Sequence, residues 1–563
     1  MLKNKKLLIL LFIGLIAIGT RFYRITFADT YTDETINAFR SIGMIDYDTS
    51  PSQTTPWQWF ASVPWWGHLS FHDHPLGWMW LVHASFSVFG VNLFAIRFPA
   101  VVVGLGSIIL VYLISKKLFT KNETAYFAAM LMAVQSYMVW VSRVGLQDGL
   151  VIFLLLLDVF VLLHVKEKPR YWWLLGLTCG LGIITKYTTL IIFPIIMVYC
   201  FVNRVSFVKN KKYIGASALV CFLAATPVWL YNAMLYRATG HFDFQFSAAL
   251  GQDVPQWTYR MGRVAVGGLG DRFKNFFVAM SSASSIIFCF GSIAAVGVAF
   301  WQWLSKRETK LSFIGGAIGL MYLWFFVIGS TYRFVVMIVP LLILLFAYEY
   351  DRISQIGKAR TIVILNLAVG VWFVLEFLFT INSFLLPRSF GFVNRTYAKI
   401  NDETQNYGFN QLNLYIENIL QGRVSALFGQ PAYQFLTDTQ NKRIKAAKDS
   451  DAKPLAIVMV YNHDINFMAG LWLFQRRLVY DGWPVMDNLS FGRLTKGKFD
   501  SYYRSQGINE FVYIVPISED VKRPIGDQSG SVDDLENYLK SKNIVPEVVT
   551  NAQGKTAFLV YRF

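Results

Sequence analysis

Charge is what this chain has little of. Only 15% of its residues are Asp, Glu, Lys or Arg, against roughly 25% in soluble globular domains, and that shortfall excludes a soluble enzyme. Cysteine is nearly absent as well. Cys179, Cys200, Cys221 and Cys289 all fall inside or at the edge of apolar runs, with no paired or metal-ligand spacing, and none lies in the hydrophilic C-terminal stretch. That excludes a disulfide framework and reads the four as small core residues. Internal repeats and low-complexity tracts are missing, and the composition is neither disordered nor collagen-like. What is abundant is apolar: 55% hydrophobic residues and 17% aromatic ones, among them 17 Trp, 28 Tyr and 48 Phe, with a mean hydropathy of +0.41. Such a chain fills lipid-facing surfaces and anchors itself at two membrane interfaces.

The formal net charge is +17 in a chain of 563 residues. Residues 391–563 hold 20 Lys+Arg and 18 Asp+Glu, so an excess of +15 lies among the apolar segments. Positive-inside bias explains that distribution, and nucleic-acid binding does not. Six basic clusters, at Lys3/Lys5/Lys6, Lys116/Lys117/Lys121, Lys166/Lys168/Arg170, Arg204/Lys209/Lys211/Lys212, Lys306/Arg307/Lys310 and Arg352/Lys358/Arg360, are expected in the cytosol. Between them the sequence predicts eleven spans: 7–26 (an uncleaved anchor), 96–115, 123–141, 148–164, 171–186, 189–203, 213–236, 276–303, 311–330, 333–350 and 361–383. The short apolar stretch 76–90 is left out as an interfacial or re-entrant helix, because counting it would put Lys116, Lys117 and Lys121 outside. The N-terminus is then inside and the C-terminus outside. The expected division is a transmembrane domain over 1–388, with a first external loop at 27–95, and an extracytoplasmic α/β domain over 389–563. Strand-like runs at 454–462, 511–516 and 556–563 alternate there with helix-like QLNLYIENIL and DDLENYLKSK.

Candidate chemistry gathers on the external side. Asp33 and Glu34 follow directly on the first span in DTYTDETINAFR. A carboxylate near low-dielectric surroundings is a better general base, while the same Thr32-Asp33-Glu34 also suits a helix start. Trp57, Trp59, Trp65, Trp66 and Trp78 surround His68, His72, Asp73 and His74. They read as an interfacial aromatic belt, with a weak metal alternative in the His-x-His pair. WVSRVGLQDGL places Arg143 and Asp148 on the same side as Asp33; a helix-end salt bridge is the bland alternative. Lys186 in ITKYTTL and Arg333 in GSTYRFVVMIVP sit at external turns where positive-inside bias disfavours cations. With Arg237, Arg260 and Arg263 they suit a phosphate held at the outer leaflet, and snorkelling to headgroups is the other reading.

These segments together resemble the protein O-mannosyltransferase-like and aminoarabinose (lipid A) transferase-like membrane glycosyltransferases of GT-C fold, the glycosyltransferase family 39-like group. The resemblance rests on the acidic pair after the first span, on HPLG before FGVNLFAIRFPAVVVGLGSIILVYLISKKLF, and on SRVGLQD, ITKYTTL and YRFVVMIVP, in order over residues 7–350. It implies a polytopic α-helical GT-C protein that transfers a hexose or pentose from a polyprenyl-phosphate donor. The transfer is inverting, to a protein, lipid or glycan acceptor hydroxyl at the outer face of a prokaryotic plasma membrane, with no nucleic-acid partner. Carried over by position, Asp33 is the first-loop general base with Glu34 beside it, and Asp148 is the second-loop acid. His74, Arg143, Lys186, Tyr332 and Arg333 are donor-phosphate or substrate contacts. The usual Pro-Pro is Pro75-Leu76 here. Lys and Arg can stabilise the departing phosphate without a metal, so no cofactor is required, though a divalent cation at Asp33 and Asp148 is compatible with the pattern.

Two other classes are weighed against this. A transporter or flippase also needs many spans and buried charge, and Asp158 and Glu376 lie inside apolar runs; the missing repeat and the one-sided placement of the other charges weigh against it. A sensor or adhesion scaffold would need fewer spans than eleven.

Overall fold

The computed structural model describes residues 2–47, 53–257, 267–306, 308–427, 433–449, 451–505, 507–508, 510–522 and 534–563. Arg260, Arg263 and Arg307 lie outside them. The chain divides into two compact units that interleave in sequence. The first comprises Met1–Ile25, Asp48–Thr55 and Trp65–Asp402, and the second Thr26–Tyr47, Pro56–Pro64 and Glu403–Phe563.

The first unit is helical. Among the described residues, five helices are long and apolar enough to cross a membrane: Leu93–Leu118, Ile286–Lys306, Thr309–Ile328, Tyr332–Ile356 and Ala359–Leu385. A sixth span results if Lys211–Ala224 and Thr226–Thr239, bent by 60° at their junction, count as one. The other expected spans are helical over Leu2–Phe22, Asn122–Val134, Asp148–Leu162, Tyr171–Ile183 and Ile192–Val202. The stretch set aside as interfacial forms a helix over Gly77–Phe89.

Two further expected spans are broken, and their breaks meet. The run 123–141 stops at Gln135, whose extended backbone separates Asn122–Val134 from Ser136–Val141. The run 276–303 divides into Leu269–Ala283 and Ile286–Lys306. Gln135 Nε2 donates to Ser284 Oγ at 3.0 Å and Ser136 Oγ to Ala283 O at 2.6 Å, while Thr380 Oγ1 donates to Val134 O at 2.6 Å. Polar side chains thus take up main-chain groups that a break in an apolar setting would otherwise strand. Elsewhere small residues bring helices together. A Cβ on Gly180 would fall 2.8 Å from Cys221 O, so the Gly176-x-x-x-Gly180 face lets Tyr171–Ile183 lie directly against Lys211–Ala224.

The second unit is built on sheet. Strands β1 (Arg423–Ser425) and β2 (Lys453–Leu455) pair in parallel. Strands β3 (Ile457–Tyr461), β4 (Val485–Asp487), β5 (Glu510–Pro516), β6 (Glu547–Thr550) and β7 (Thr556–Arg562) form a five-stranded sheet of order β4-β3-β5-β7-β6. The β3 pairings to β4 and β5 are parallel, and those of β7 to β5 and β6 antiparallel. Ile457, Met459, Val512 and Ile514 join one apolar cluster, and Val458, Val460, Phe511 and Tyr513 another. That period-two division covers both faces of the sheet.

Residues 26–47 do not stay with the membrane helices as the expected boundary at 388/389 supposes. Asp29 explains why. Its Oδ2 accepts from the backbone N–H groups of Tyr407 (2.6 Å), Gly408 (3.0 Å) and Phe409 (3.2 Å), and its Oδ1 from that of Asn410 (2.8 Å). It thereby satisfies the open N-terminus of the helix Phe409–Leu420. Farther along, Tyr480 OH donates to Phe39 O at 2.8 Å, and the Trp57 and Phe435 rings meet edge-on at 5.3 Å.

Candidate active site

The first unit brings four separated segments to one buried carboxylate. Asp148 opens the helix Asp148–Leu162, a position where the macrodipole favours an acid, and it is fully buried. Tyr171–Ile183 ends in a turn that leaves Lys186 extended before the short helical turn Tyr187–Ile191. Lys186 Nζ lies 2.8 Å from Asp148 Oδ1 and 5.0 Å from the centre of the Phe334 ring. Arg333, on the short helix Tyr332–Val335, brings its Nη2 to 3.6 Å from Asp148 Oδ2, an oxygen that accepts no hydrogen bond among the described residues. His74 is a third electrostatic partner of Asp148, and its Nε2 lies 4.0 Å from Asp73 Oδ2.

The HPLG segment is fixed in place by its neighbours. Gly77 N donates to Ile184 O at 2.7 Å, and a Cβ at Gly77 would lie 2.8 Å from both Ile184 O and Thr185 Oγ1. No other residue type lets this backbone sit so close to the turn that carries Lys186. The adjoining Trp78 is fully buried and donates its indole N–H to Gly145 O at 3.1 Å, tying the same segment to the turn before Asp148. Tyr332 is held through its carbonyl, which accepts from Tyr137 OH, and its ring meets Trp140 edge-on at 5.8 Å. The sequence reading singles out neither Gly77, Gly145, Tyr137 nor Trp140. The Gly in HPLG was a usable signal, since glycine next to a bulky tryptophan marks a close backbone approach.

Arg143 is placed elsewhere. It donates to Thr20 O at 2.8 Å and Arg21 O at 3.1 Å, closing the C-terminal end of the first helix, where open carbonyls and the macrodipole favour a cation. Asp33 and Glu34 belong to the second unit, in the first turn of the helix Asp33–Gly43. Glu34 is buried and Asp33 half-buried. Thr32 makes no side-chain cap there. The helix buries Phe39 and Arg40, and Arg40 Nε lies 3.7 Å from Asp46 Oδ1.

The histidine-rich loop is largely packed. His72 is fully buried between the Phe244 and Trp257 rings (6.4 and 6.1 Å), with its Nε2 3.2 Å from Gln53 Nε2. No group of three or more His, Cys, Asp or Glu among the described residues is arranged to hold a metal ion. Beside Lys186, Tyr187 OH donates to Asp243 Oδ2 at 2.5 Å and Asn232 Nδ2 to the same oxygen at 2.9 Å. Burial raises the Asp243 carboxyl above its ordinary range against those hydrogen bonds. Arg237 is exposed. The two carboxyls within apolar helices are enclosed by their neighbours: Asp158 accepts from Thr178 Oγ1 and, at 3.6 Å, from Cys179 Sγ, and Glu376 accepts from Ser285 Oγ and, at 3.3 Å, from Trp372 Nε1.

The segment that supplies Arg333 also walls an apolar cavity. A space of about 1050 Å³ lies among Phe276, Met280, Phe290, Phe300, Tyr322 and Leu342. Ile338, five residues after Arg333, lines it too.

Comparison with known proteins bears on the fold and on the family the chain resembles. Residues 73–231 match the dolichyl-phosphate-mannose-protein mannosyltransferase family, a stretch that includes His74, Asp148 and Lys186. An undecaprenyl phosphate-alpha-4-amino-4-deoxy-L-arabinose arabinosyl transferase of Pseudomonas aeruginosa is 28% identical over 178 residues, 30% of this chain and 32% of that protein. A Yersinia pestis protein of the same name is 23% identical over 326 residues, 55% of each chain. The matches thus span about a third to a half of the relatives' length. In structure, ArnT from Cupriavidus metallidurans bound to undecaprenyl phosphate superposes with a TM-score of 0.55 at 11% identity, covering 99% of this chain and 98% of that one. The apo oligosaccharyltransferase of Archaeoglobus fulgidus gives 0.50 at 12% identity over 90% and 69%. The chain has the GT-C fold and resembles the dolichyl-phosphate-mannose-protein mannosyltransferases and aminoarabinose transferases.

Proposed function

We propose that this protein is a glycosyltransferase that moves a hexose or pentose from a polyprenyl-phosphate donor to an acceptor hydroxyl at the outer face of a prokaryotic plasma membrane, with inversion. The observation that carries the reading is the convergence of Lys186 and Arg333 on Asp148, at 2.8 and 3.6 Å. Two cations held by one buried acid keep a net positive charge in a low-dielectric setting, which suits an arriving phosphate. Asp148 orients them, while His74 and Tyr332 complete the donor side. Arg143 contributes at one remove, by fixing the end of the first helix.

The reaction balances without a cofactor. Asp33 takes the acceptor hydroxyl proton as the oxygen attacks C1 of the sugar; the C1–O bond to phosphate breaks on the opposite face, and the pair leaves on the polyprenyl phosphate. Lys186 and Arg333 stabilise that developing charge. Undecaprenyl phosphate bound to ArnT supports a polyprenyl donor, and the apolar cavity of about 1050 Å³ supports a place for its tail. In this reading the second unit and the C-terminus lie outside the membrane and the N-terminus in the cytosol. The test is Asp33→Asn in protein reconstituted in lipid. Transfer is lost while donor binding is kept, because an amide cannot accept the proton; retained turnover removes Asp33 from the role of base.

A further inference from the structure

The second unit holds an electropositive groove that the transfer reaction leaves unused. Its first lobe is a cleft of about 710 Å³ lined by Arg423, Arg443, Arg476, Arg477, Glu417 and Asp481, with Asn418, Gln421 and Trp483 beside them. A second lobe of about 450 Å³ shares Asn418 and Arg423 and adds Tyr415, Arg562, Glu510 and Glu547. Four guanidinium groups face two carboxylates in the first lobe; with Arg423 shared between the lobes, five guanidinium groups face four carboxylates over the whole groove, so the excess positive charge lies at the first lobe's end.

The excess charge sits deepest where it costs most. Arg476 and Arg477 are nearly fully buried and share one carboxylate oxygen, Glu417 Oε1, at 2.8 and 3.6 Å. Arg476 also donates to Trp472 O at 2.6 Å and Asn413 Oδ1 at 2.8 Å, and Arg477 to Asn413 Oδ1 at 2.8 Å. The Arg476 guanidinium lies 4.2 Å from the centre of the Trp472 ring. These bonds fix the two planes and bring one carboxylate into contact with two guanidinium groups; the second negative charge that acts on them, Asp481, is shared with Arg443, which pairs with it at 3.0 Å. Burial and the neighbouring Arg476 charge lower Arg477 to about 9. An incompletely compensated buried cation pair is expensive unless an anion completes it, and guanidinium forks fit carboxylate and phosphate groups. Arg443 and Arg423, both exposed, extend the positive lining toward the second lobe, where amide, phenol and carboxylate groups offer hydrogen bonds to hydroxyls.

We propose that this two-lobed groove binds an anionic glycan, one sugar's carboxylate or phosphate seated at the Arg476/Arg477 end and the chain running past Arg423 into the lobe of Tyr415 and Arg562. The choice of a glycan as the carrier of the anion rests on the glycosyltransferase reading; the anion subsite rests on the arginines alone. Binding is measured on the full chain in nanodiscs without donor, so that failure here leaves donor turnover as a separate result. The probes are a galacturonate hexamer, pentamannosyl phosphate, neutral maltohexaose and hexaglutamate. Either anionic glycan binds roughly tenfold or more above maltohexaose, weakens as salt rises, and loses roughly tenfold in Arg423→Ala or Arg443→Ala; the tighter of the two identifies the anion. Both substitutions lie on exposed side chains, so the fold is kept. Equal binding of maltohexaose, affinity unchanged in both variants, or tighter binding of hexaglutamate than of either anionic glycan overturns the proposal.

Discussion

Lys186, in the turn after the helix Tyr171–Ile183, sets its ammonium nitrogen 2.8 Å from an Asp148 carboxylate oxygen that is closed to solvent. The pair joins the end of one helix to the start of another. Its geometry accounts for why a lysine stays in a turn where membrane topology disfavours it.

Removing one member should cost more than removing both. Asp148→Leu strands two cations, and Lys186→Met leaves Asp148 with the longer Arg333 contact alone, a loss of up to about 3–5 kcal/mol in each. The double variant removes both charges and should unfold at a higher temperature than either single one, while donor release is lost in all three. Thermal unfolding in detergent gives the comparison; simple additivity of the two single losses contradicts a coupled pair.

Gly77 is a steric requirement. In Gly77→Ala the new Cβ lies 2.8 Å from Ile184 O, a backbone atom, so the turn carrying Lys186 shifts at a cost of about 1–3 kcal/mol. Donor affinity and stability should fall together. Gly14→Ala, with nothing within 4 Å of its Cβ, is the neutral control.

Arg143 separates anchoring from binding. Arg143→Ala removes charge-assisted bonds to Thr20 O and Arg21 O, a loss of about 1.5–3 kcal/mol, and donor affinity in the folded fraction should change by less than about twofold. A large fall in affinity with unchanged unfolding contradicts the anchoring role.

The second unit should respond to pH through Asp29. Burial raises its carboxyl from 3.8 to about 6, against the pull of the Asn410, Tyr407, Phe409 and Gly408 N–H groups. The fold therefore favours the protonated form. That contribution is full below about pH 4 and is lost as pH rises through about 6, on the order of 3 kcal/mol in all. Asp29→Asn should flatten the stability profile over that window; an unchanged slope contradicts the assignment.

Much of the framework is legible in the sequence because hydropathy and length report directly on helices such as Leu93–Leu118 and Ala359–Leu385. The strands β3, β5 and β7 likewise fall within apolar runs bounded by polar residues. The breaks at Gln135 and Ser284 were not legible, because each is compensated by side chains distant in sequence. Nor was the tie of residues 26–47 to the C-terminal half: Asp29 contacts residues 407–410, and no local pattern encodes such a partner. At the candidate site, Lys186 and Arg333 were legible as cations where membrane topology disfavours them, Asp148 as one of several charges facing one compartment, and His74 only through the family resemblance. Arg143 carried the same signal as Asp148 for a different reason, since a cation at a helix end and a cation at a phosphate look alike in sequence.

The most direct measurement is sugar release from a radiolabelled panel of polyprenyl-phosphate sugars by the protein in lipid, with wild type beside Asp33→Asn and Arg333→Ala, each with and without chelator. The account predicts release by wild type from at least one donor, undiminished by chelator, no turnover in Asp33→Asn, and weakened donor binding in Arg333→Ala. No release from any donor by folded protein, or full turnover in both variants, contradicts it.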